Sequence, residues 1–505
     1  MIDLLDLVER NAATIPDKTA FVFEDERLSF GEFAAAVARL AGGFRAEGIG
    51  PGDRVLVAFY HGNAVAVVYF ALMWIGAAPV LASASLLTDL PATVAETDPV
   101  AIVYGKEARP HLGPSIGRQL LVSADGPDGI GLPLETLREA APIGAAPRRQ
   151  DQPSGIIFSA GTTGRPKPIV RTYASDLWDG IHKLMVYRLG MQDVYLYISP
   201  LNLTALLGPI RQTLFTGATY VVIDGFDAER VAAVSARESV SQLTLLSSQW
   251  AELLELPSLG RFDLSAMRQI AAAAGQVPTA LRRRIVETFG DLPFLQVYGM
   301  SEAGMIAAVQ TPDPHFGESN YVGRPLSTVR VRIADEDGAP LALGEIGEIV
   351  VQTPSASAGY YRRPEASVRT FRDGWIHTGD LGRLEEGGAL YLLDRASEVF
   401  TVAGRRVFPS MVQDALYALP GAQEGVLIGV PVGGETRPVA WVVPRRSAFL
   451  DETTVRTAVA AAVPFVPYDR IGVVIAPALP RTPAGKVDKG ALAADWLAKL
   501  DTNER

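Results

Sequence analysis

The chain has 505 residues, of which 48% are apolar and 20% charged, and its net charge is −10. This length and composition predict a folded globular protein with more than one domain. The acidic total, without a basic cluster interleaved with aromatic residues, argues against a nucleic-acid partner. The absence of cysteine excludes disulfides, thiolate metal sites and a catalytic cysteine.

The N-terminal sequence, MIDLLDLVERNAATIPDK, lacks the basic flank and apolar core of a signal peptide, so we expect a cytoplasmic protein. Residues 63–87 carry no charge and could by length span a bilayer. Gly76 and Pro79 interrupt this stretch. A buried helix followed by a buried strand is therefore the better prediction, and we expect no membrane span.

Strand and helix patterns alternate through the first 300 residues. DRVLVAF (53–59) and PVAIVYG (99–105) read as strands, as does ATYVVID (218–224). Apolar residues three and four apart predict helices over 29–48 and 278–290. Strands alternating with helices favour parallel sheets that are covered on both faces, which is an α/β fold.

The pattern changes near Gly344. The segments 344–352 and 388–394 read as short antiparallel strands with glycine turns, and a segment of about 110 residues follows, large enough to form its own core. We predict an N-terminal domain, residues 1–394, of packed α/β sheets plus a β-subdomain. A small α+β domain, residues 395–505, completes the chain.

The run FSAGTTGRPKPIV (158–170) opens a buried strand into a loop of glycines and hydroxyl residues, which suits phosphate binding. It is not a Walker A loop, because Pro166 stands at the second glycine position and Pro168 follows Lys167. Taken alone, the run could equally be an ordinary surface loop, since glycine, proline, serine and threonine dominate such loops.

Three further motifs follow in order: YGMSEAG (298–304), DGWIHTGDLG with YLLDRASEVFTVAGRRVFP (373–409), and PRTPAGKVDK (480–489). Together with the first run they resemble the adenylate-forming superfamily of acyl- and aryl-CoA synthetases, peptide-synthetase adenylation domains and luciferases. The resemblance extends from near Leu4 to about Asp488. It implies a large nucleotide-binding domain and a small mobile domain.

The resemblance also implies the nucleotide site. Thr162, Thr163 and Lys167 would meet the β- and γ-phosphates of ATP, and Thr163 would also be catalytic. Asp380 would bind the ribose, and Arg395 the ribose or a phosphate. The other implied nucleotide contacts are Ser159, Gly275, Ser301 and Tyr298, the last beside adenine.

Glu302 would ligate Mg²⁺, a hard ion that prefers carboxylate and phosphate oxygens. A hydrolase nucleophile elbow is the rival interpretation of this motif, but GMSEA lacks its second glycine. For Asp380 the alternative is an ordinary turn residue.

Lys486, in the small domain, would bridge the substrate carboxylate and the α-phosphate, where charge builds in the transition state. The small domain would pivot at Ser397, where relatives usually carry Asp or Lys. Without its motif Lys486 would be an ordinary surface charge, which is how we interpret Lys489. Arg405 and Arg406 could attract a phosphorylated acceptor or simply face solvent.

The resemblance places the acid pocket at Asn202, Ser247, Ser248, Ala272 and Ala274. Asn202 and Leu203 stand where relatives often carry an aromatic residue and a histidine, so the usual gate of the pocket is altered. Met411 and Gln413 replace two carboxylates of the family pattern, so packing of the small domain should differ. Small alanines would leave room for an aryl or medium-chain acid.

These inferences predict an enzyme that converts a carboxylic acid and Mg·ATP to acyl-AMP and then transfers the acyl group to a thiol, most simply that of CoA. No fused carrier domain is expected after Lys486. One alternative is a stand-alone adenylase that loads a separate carrier protein or activates an unusual acid, including nitrite in a diazotase-like reaction. Another is a nucleotide-binding protein without turnover.

Overall fold

The structure of the protein is a computed structural model. It describes residues 2–60, 62–113, 116–159, 165–199, 203–273, 276–446, 448–482 and 485–503.

The described residues form fifteen α-helices. In chain order they are α1 Leu4–Thr14, α2 Phe30–Ala46, α3 Ala64–Trp74, α4 Ala84–Leu87, α5 Leu90–Thr97, α6 Leu134–Arg138, α7 Tyr173–Tyr187, α8 Leu203–Thr216, α9 Ala228–Arg237, α10 Ser247–Leu253, α11 Thr279–Phe289, α12 Pro364–Thr370, α13 Pro409–Ala418, α14 Glu452–Ala462 and α15 Lys489–Asn503.

The described residues also form twenty-six β-strands. They are β1 Thr19–Phe23, β2 Glu26–Ser29, β3 Arg54–Ala58, β4 Ala78–Leu81, β5 Ala101–Tyr104, β6 Leu120–Ser123, β7 Leu132–Pro133, β8 Pro153–Phe158, β9 Pro168–Thr172, β10 Val194–Ser199, β11 Thr219–Asp224, β12 Gln242–Leu245, β13 Gln269–Ala272, β14 Phe294–Met300, β15 Gly304–Gln310, β16 Tyr321–Pro325, β17 Arg330–Ala334, β18 Gly347–Gln352, β19 Phe371–Arg372, β20 Trp375–Leu384, β21 Leu390–Arg395, β22 Phe400–Val402, β23 Arg405–Val407, β24 Ala422–Val432, β25 Glu435–Pro444 and β26 Gly472–Ile475.

The first large sheet has seven strands in the order β7-β6-β5-β3-β4-β8-β9. All neighbours run parallel except the last pair, in which β9 turns back antiparallel to β8. The predicted strands at 53–59 and 99–105 are confirmed as β3 and β5. Strand β5 is buried along its whole length and β3 at every residue after Arg54, as a parallel sheet covered on both faces requires.

The second large sheet follows the order β17-β18-β20-β21-β16-β15-β14-β13-β12-β10-β11-β1-β2, with β19 beside β20. Its pairs from β1 through β11, β10, β12 and β13 to β14 are parallel. From β14 onward the pairs are antiparallel. The antiparallel strands predicted near 344–394 thus continue the parallel sheet, and the change of direction occurs at the β14–β15 turn.

The uncharged stretch 63–87 is a buried helix and a buried strand, as predicted. Residues 65–74 of α3 are buried on every side, and β4 is buried along its length. Gly76, between them, has φ +77°, where a side chain would strain the backbone and meet Pro51 at 3.2 Å. No described helix combines the length and apolar character needed to cross a membrane.

The C-terminal region, residues 395–505, has strands that pair with one another in the described part of the chain. Strands β22 and β23 form a hairpin, and β24, β25 and β26 form a three-stranded sheet. Valines and leucines from this sheet, α13 and α14 build a separate apolar cluster. This arrangement is consistent with the division that we propose at residues 394 and 395.

Candidate active site

The predicted phosphate loop joins two paired strands. Phe158 at the end of β8 is paired with Pro168 at the start of β9. Ser159 makes two hydrogen bonds to Lys167 at the other end of the loop. Its N–H donates to the Lys167 carbonyl at 3.0 Å, and its Oγ accepts from the Lys167 N–H at 2.9 Å. Thr162 and Thr163 lie outside the described residues, so their phosphate contacts stay predictions.

Tyr360 connects the phosphate loop to the predicted magnesium ligand. Its hydroxyl donates to Glu302 Oε1 at 2.8 Å, and the Lys167 Nζ lies 5.0 Å from its ring centroid. Burial, and then the charge of Glu302, raise the pKa of Tyr360. Its hydroxyl therefore stays protonated and donates. Sequence reasoning missed this residue, because its contact with Glu302 joins segments 58 residues apart.

Segment 357–361 runs along β9, which explains the position of Tyr360. The Val170 N–H donates to the Gly359 carbonyl at 2.9 Å, and the Tyr361 N–H donates to the Pro168 carbonyl at 2.7 Å. The same strand that leaves the phosphate loop therefore fixes the residue that holds Glu302.

Glu302 and Ser301 sit in the tight turn between β14 and β15. Gly304 ends this turn at φ +72°, and a Cβ there would lie 2.8 Å from Ser355 Oγ, so glycine is required. Ser355 Oγ donates in turn to the Ala303 carbonyl at 2.6 Å. These contacts hold the Glu302 carboxylate, which is buried, at the edge where the sheet changes direction.

Asp380 is held by three neighbours. Oδ2 accepts from the Tyr298 hydroxyl at 2.7 Å, Oδ1 lies 2.8 Å from Arg395 Nε, and the Asp380 N–H donates to Thr378 Oγ1 at 3.0 Å. Asp380 and Arg395 are paired across β20 and β21. Burial raises the pKa of Asp380, against the opposing effect of Arg395. The Tyr298 ring is buried in the apolar cluster around Ile306 and Val322.

Glu348 supports the turn before Asp380. Its Oε1 accepts from the Gly379 N–H at 2.8 Å, and its Oε2 lies 2.7 Å from His377 Nδ1. Arg372 Nε donates to His377 Nε2 at 2.9 Å. His377 is thus held in a network with Glu348 and Arg372.

Lys486 of the C-terminal region lies at this same site. Burial and then the charge of Arg395 lower its pKa, while Glu398 and Asp380 raise it. Lys486 in turn lowers the pKa of Asp380. The geometry of the same motif agrees, because Lys489, three residues after Lys486, contacts Glu398 Oε2 at 2.6 Å, and Glu398 follows Arg395 by three residues.

Arg395 joins the two halves of the site. Its charge lowers the pKa of both Asp380 and Tyr360. Geometry links the two clusters, because Tyr298 of β14 donates to Asp380 and Glu302, in the turn that follows β14, accepts from Tyr360.

The Glu302 carboxylate could bind a metal ion only if other groups supplied the remaining ligands. In the described residues no group of three His, Asp or Glu side chains could hold a metal ion. Glu302 offers one carboxylate, and the remaining oxygens would have to come from phosphate, which is how Mg²⁺ is usually bound in nucleotide sites. The donor set thus fits a nucleotide-borne Mg²⁺.

The predicted acid pocket is described only in part. Asn202, Ala274 and Gly275 lie outside the described residues. Ser247 and Ser248 are half-buried at the start of α10, where Ser247 Oγ donates to the Gln276 carbonyl at 3.1 Å. Ala272 is fully buried in the apolar cluster of β12, β13 and α10. The pocket assignment stays a prediction.

Two features predicted for the C-terminal region lie at exposed positions. Ser397 is exposed in the turn after β21. Arg405 lies 4.2 Å from the Phe465 ring centroid, and Arg406 reaches Glu336 at 3.5 Å. Both arginines are exposed, so their attraction for a phosphorylated acceptor stays open.

The fold is a mixed α/β architecture in which Glu302 is held by Tyr360, and Asp380 by Tyr298 and Arg395. The family model for the AMP-binding enzyme matches residues 8–361, and the chain belongs to that family. A feruloyl-CoA synthase of Amycolatopsis sp. is 30% identical over 84% of each chain. An indoleacetate–CoA ligase of Aromatoleum aromaticum is 28% identical over 97% of each. Both relatives are named as enzymes that join an acid to CoA.

Solved structures match nearly the whole chain. An anthranilate–CoA ligase in complex with anthranoyl-AMP matches with a TM-score of 0.87 at 21% identity, covering 98% of this chain and 97% of that one. ATP-bound MatB from Rhodopseudomonas palustris matches with a TM-score of 0.86 at 24% identity, over 98% and 99%. The apo form of MatB matches at 0.77 and 25% identity, over the same shares. The predicted fold class is confirmed.

Proposed function

We propose that the protein is an ATP-dependent acid–thiol ligase that forms an acyl-AMP and then an acyl-CoA. The observation that carries this proposal is the contact of Lys489 Nζ with Glu398 Oε2 at 2.6 Å, because it anchors the C-terminal motif that carries Lys486 three residues after Arg395, the partner of Asp380 at 2.8 Å. The better match to ATP-bound MatB than to apo MatB supports the same arrangement.

In the first half-reaction an oxygen of the substrate carboxylate attacks the α-phosphorus, and the bond to pyrophosphate breaks. Lys167 and the loop residues would bind the β- and γ-phosphates, and Asp380 the ribose. Negative charge builds on the α-phosphate and on the entering carboxylate, where the Lys486 ammonium would stabilise it. Mg²⁺ would be held by Glu302 and the phosphates, and it would offset the charge of the leaving pyrophosphate.

In the second half-reaction the thiol sulfur attacks the acyl carbon, and AMP leaves with the electrons of the carbon–oxygen bond. No side chain need form a covalent intermediate, because positioning and charge stabilisation carry both steps. We place the pivot between the two steps near Ser397, in the exposed turn that follows β21.

We propose an aryl or arylalkanoic acid as the substrate. The relatives named for feruloyl and indoleacetate substrates and the anthranilate ligase support this class. A separate carrier protein and nitrite are the weaker alternatives, because no contact of the described residues favours either. A cytoplasmic location completes the proposal.

The test is pyrophosphate release with ATP, Mg²⁺ and a panel of aryl, arylalkanoic, medium-chain and inorganic acids. We expect release with an aromatic acid and, when CoA is added, a thioester and AMP in equal amounts. Free CoA, a carrier protein and a simple amine are then compared as acceptors, because an amide bond synthetase from Marinactinospora thermotolerans is also a structural neighbour. No acyl-AMP with any acid would leave a nucleotide-binding protein without turnover.

A further inference from the structure

Helix α11 in the N-terminal region has no capping side chain of its own. Its N-cap is Pro278, which offers no side-chain acceptor. The first N–H groups of a helix lack partners inside the helix, and they need an acceptor from elsewhere. Asp414 of α13, in the C-terminal region, supplies it.

Asp414 binds the start of α11 through both carboxylate oxygens. Oδ1 accepts from the Thr279 N–H at 2.7 Å, and Oδ2 accepts from Thr279 Oγ1 at 3.0 Å and also from Ser319 Oγ. A carboxylate at a helix N-terminus also interacts favourably with the helix dipole. Asp414 of the C-terminal region therefore caps the N-terminus of α11, a role usually filled by a residue next to the helix in the chain.

Asp414 also faces a buried cation. Arg282, one turn into α11, is 2% exposed and donates to the Phe316 and Glu318 carbonyls. Burial lowers the pKa of Arg282, and the charge of Asp414 raises it. Separating α13 from α11 would remove this compensating charge as well as the cap.

Tyr417 extends the contact by one helical turn. Residues three apart share a helix face, so Tyr417 and Asp414 both point toward α11. Tyr417 is 4% exposed and belongs to the apolar cluster that contains Leu281 and Ile285 of α11. The Tyr417 ring packs against the apolar side chains of α11, and Asp414 binds the N-terminus of the same helix through its charge.

The contact is reciprocal. Helix α13 also lacks a capping side chain at its N-cap, Phe408, and the Ser410 N–H of its first turn donates to Asp394 Oδ2 at 3.1 Å. Asp394 lies in β21, one residue before the end of that strand, and is the last residue of the predicted N-terminal domain. Each region thus caps a helix of the other, and both caps lie on the α13 contact.

We infer that Asp414 is a positioning residue for adenylation: it docks α13 on α11 in the one arrangement that brings Lys486 to Asp380 and Arg395. The inference rests on the proposed function. It predicts that Asp414, which is not at the nucleotide site, affects the two half-reactions differently. The family pattern concerns positions 411 and 413, which are Met411 and Gln413 here, and it does not single out Asp414.

The first experiment compares the half-reactions in D414A and D414N. We expect D414A to lower acyl-AMP formation about tenfold, the effect of losing a charged helix cap, and to leave thioester formation from pre-formed acyl-AMP within about twofold. D414N keeps one acceptor for the Thr279 N–H and should recover part of the rate. Equal loss in both half-reactions, or loss in neither, would overturn the inference.

A matched control distinguishes positioning from general destabilisation. Asp451 caps α14 inside the C-terminal region, where its Oδ1 accepts from the Thr454 N–H at 2.8 Å. D451A removes a helix cap of the same kind without touching α11. We expect it to leave the ratio of the two half-reaction rates unchanged.

The second experiment measures hydrogen exchange of the unliganded chain and needs no substrate. D414A should raise exchange at the first turn of α11 and also at residues 485–489, which carry Lys486. D451A should raise it near residue 451 alone. Protection at 485–489 that is unchanged in D414A would refute the inference even if the proposed reaction is correct, whereas absence of acyl-AMP in the unmodified enzyme would refute only the proposed function.

Discussion

The interior of the N-terminal region and its boundary with the C-terminal region use charged side chains in opposite ways. Inside, Asp176 is fully buried between Arg171 Nε at 3.0 Å and Arg211 Nη2 at 2.6 Å, and Arg211 also reaches Asp179 at 2.6 Å. At the boundary, Arg406 and Glu336 lie 3.5 Å apart with 62% and 95% of their side chains exposed.

The buried network of Asp176 is expected to stay intact in the folded protein, whereas the exposed pair of Arg406 and Glu336 can separate and re-form. A buried charge that loses its partner is left without water, so the interior network cannot open without a large free-energy cost. An exposed pair exchanges its partner for water at little cost. The interior network also holds the active site, because Arg171 Nη1 donates to the carbonyl of Ser355, whose hydroxyl supports the Glu302 turn.

The largest effect should come from breaking the interior network. Asp176→Ala leaves Arg171 and Arg211 with uncompensated buried charge, and we expect a loss of about 3–5 kcal/mol in the free energy of unfolding. Glu336→Ala removes an exposed partner and should not change stability measurably. Denaturant unfolding of the three proteins checks this, and a small loss in D176A would mean that the network is not a permanent element.

Removing the lysine that crosses the boundary should have the next largest effect, and on rate alone. Lys486→Met should lower acyl-AMP formation by about 10²–10³, which corresponds to about 3–4 kcal/mol of transition-state stabilisation. Thioester formation from pre-formed acyl-AMP should change little, because the lysine serves the first half-reaction. Single-turnover measurement of each step tests this. Equal losses would contradict the proposal that the C-terminal region has two arrangements.

Asp394 gives the boundary a dependence on pH. Burial raises its pKa to about 6, against the Ser410 hydrogen bonds and the charge of Lys489, while Glu398 adds to the increase. A carboxyl whose pKa is raised by folding favours the folded state fully below about pH 4, and this contribution is lost as the pH rises through 6.

Asp394→Asn should therefore remove a pH-dependent cost. The amide keeps an acceptor for the Ser410 N–H, so the variant should match the unmodified protein near pH 4 and be more stable above pH 6, by at most about 3 kcal/mol. Unfolding free energies measured from pH 4 to 8 provide the check. If both proteins show the same slope between pH 4 and 6, the pKa of Asp394 is not raised.

Many strands, helices and motifs of this protein could be predicted from its sequence, because each produces a pattern within a short stretch of the chain. The strand at 53–59, the helix at 278–290 and the four motifs each show a periodicity or a run of small residues that is visible within about fifteen positions. The resemblance then linked Asp380, Arg395 and Lys486, and the structure pairs the first two at 2.8 Å.

The remaining features depend on contacts between distant segments that leave no local pattern. Strand β1 joins the second sheet through β11, about 200 residues away. Tyr360 reaches Glu302 only because segment 357–361 runs along β9. Asp414 looks like any polar residue on an amphipathic helix, and it gains its role only from the uncapped helix opposite.

The smallest effect should come from the second lysine of the same motif, and it tests whether position or mere charge matters at the boundary. Lys489 Nζ lies 2.6 Å from Glu398 Oε2, with 35% and 24% of the side chains exposed. A pair this exposed contributes about 0–1 kcal/mol, so Lys489→Met should lower acyl-AMP formation by at most about fivefold. The charge of Lys489 lowers the pKa of Lys486, so its removal leaves Lys486 more firmly protonated and offsets part of that loss.

K486M and K489M remove the same charge at positions three residues apart. Comparing their rates of acyl-AMP formation under identical conditions therefore separates the effect of the lysine's position from the effect of its charge. A loss in K489M as large as that in K486M would mean that the site responds to total positive charge, and the assignment of Lys486 as the specific catalytic cation would be wrong.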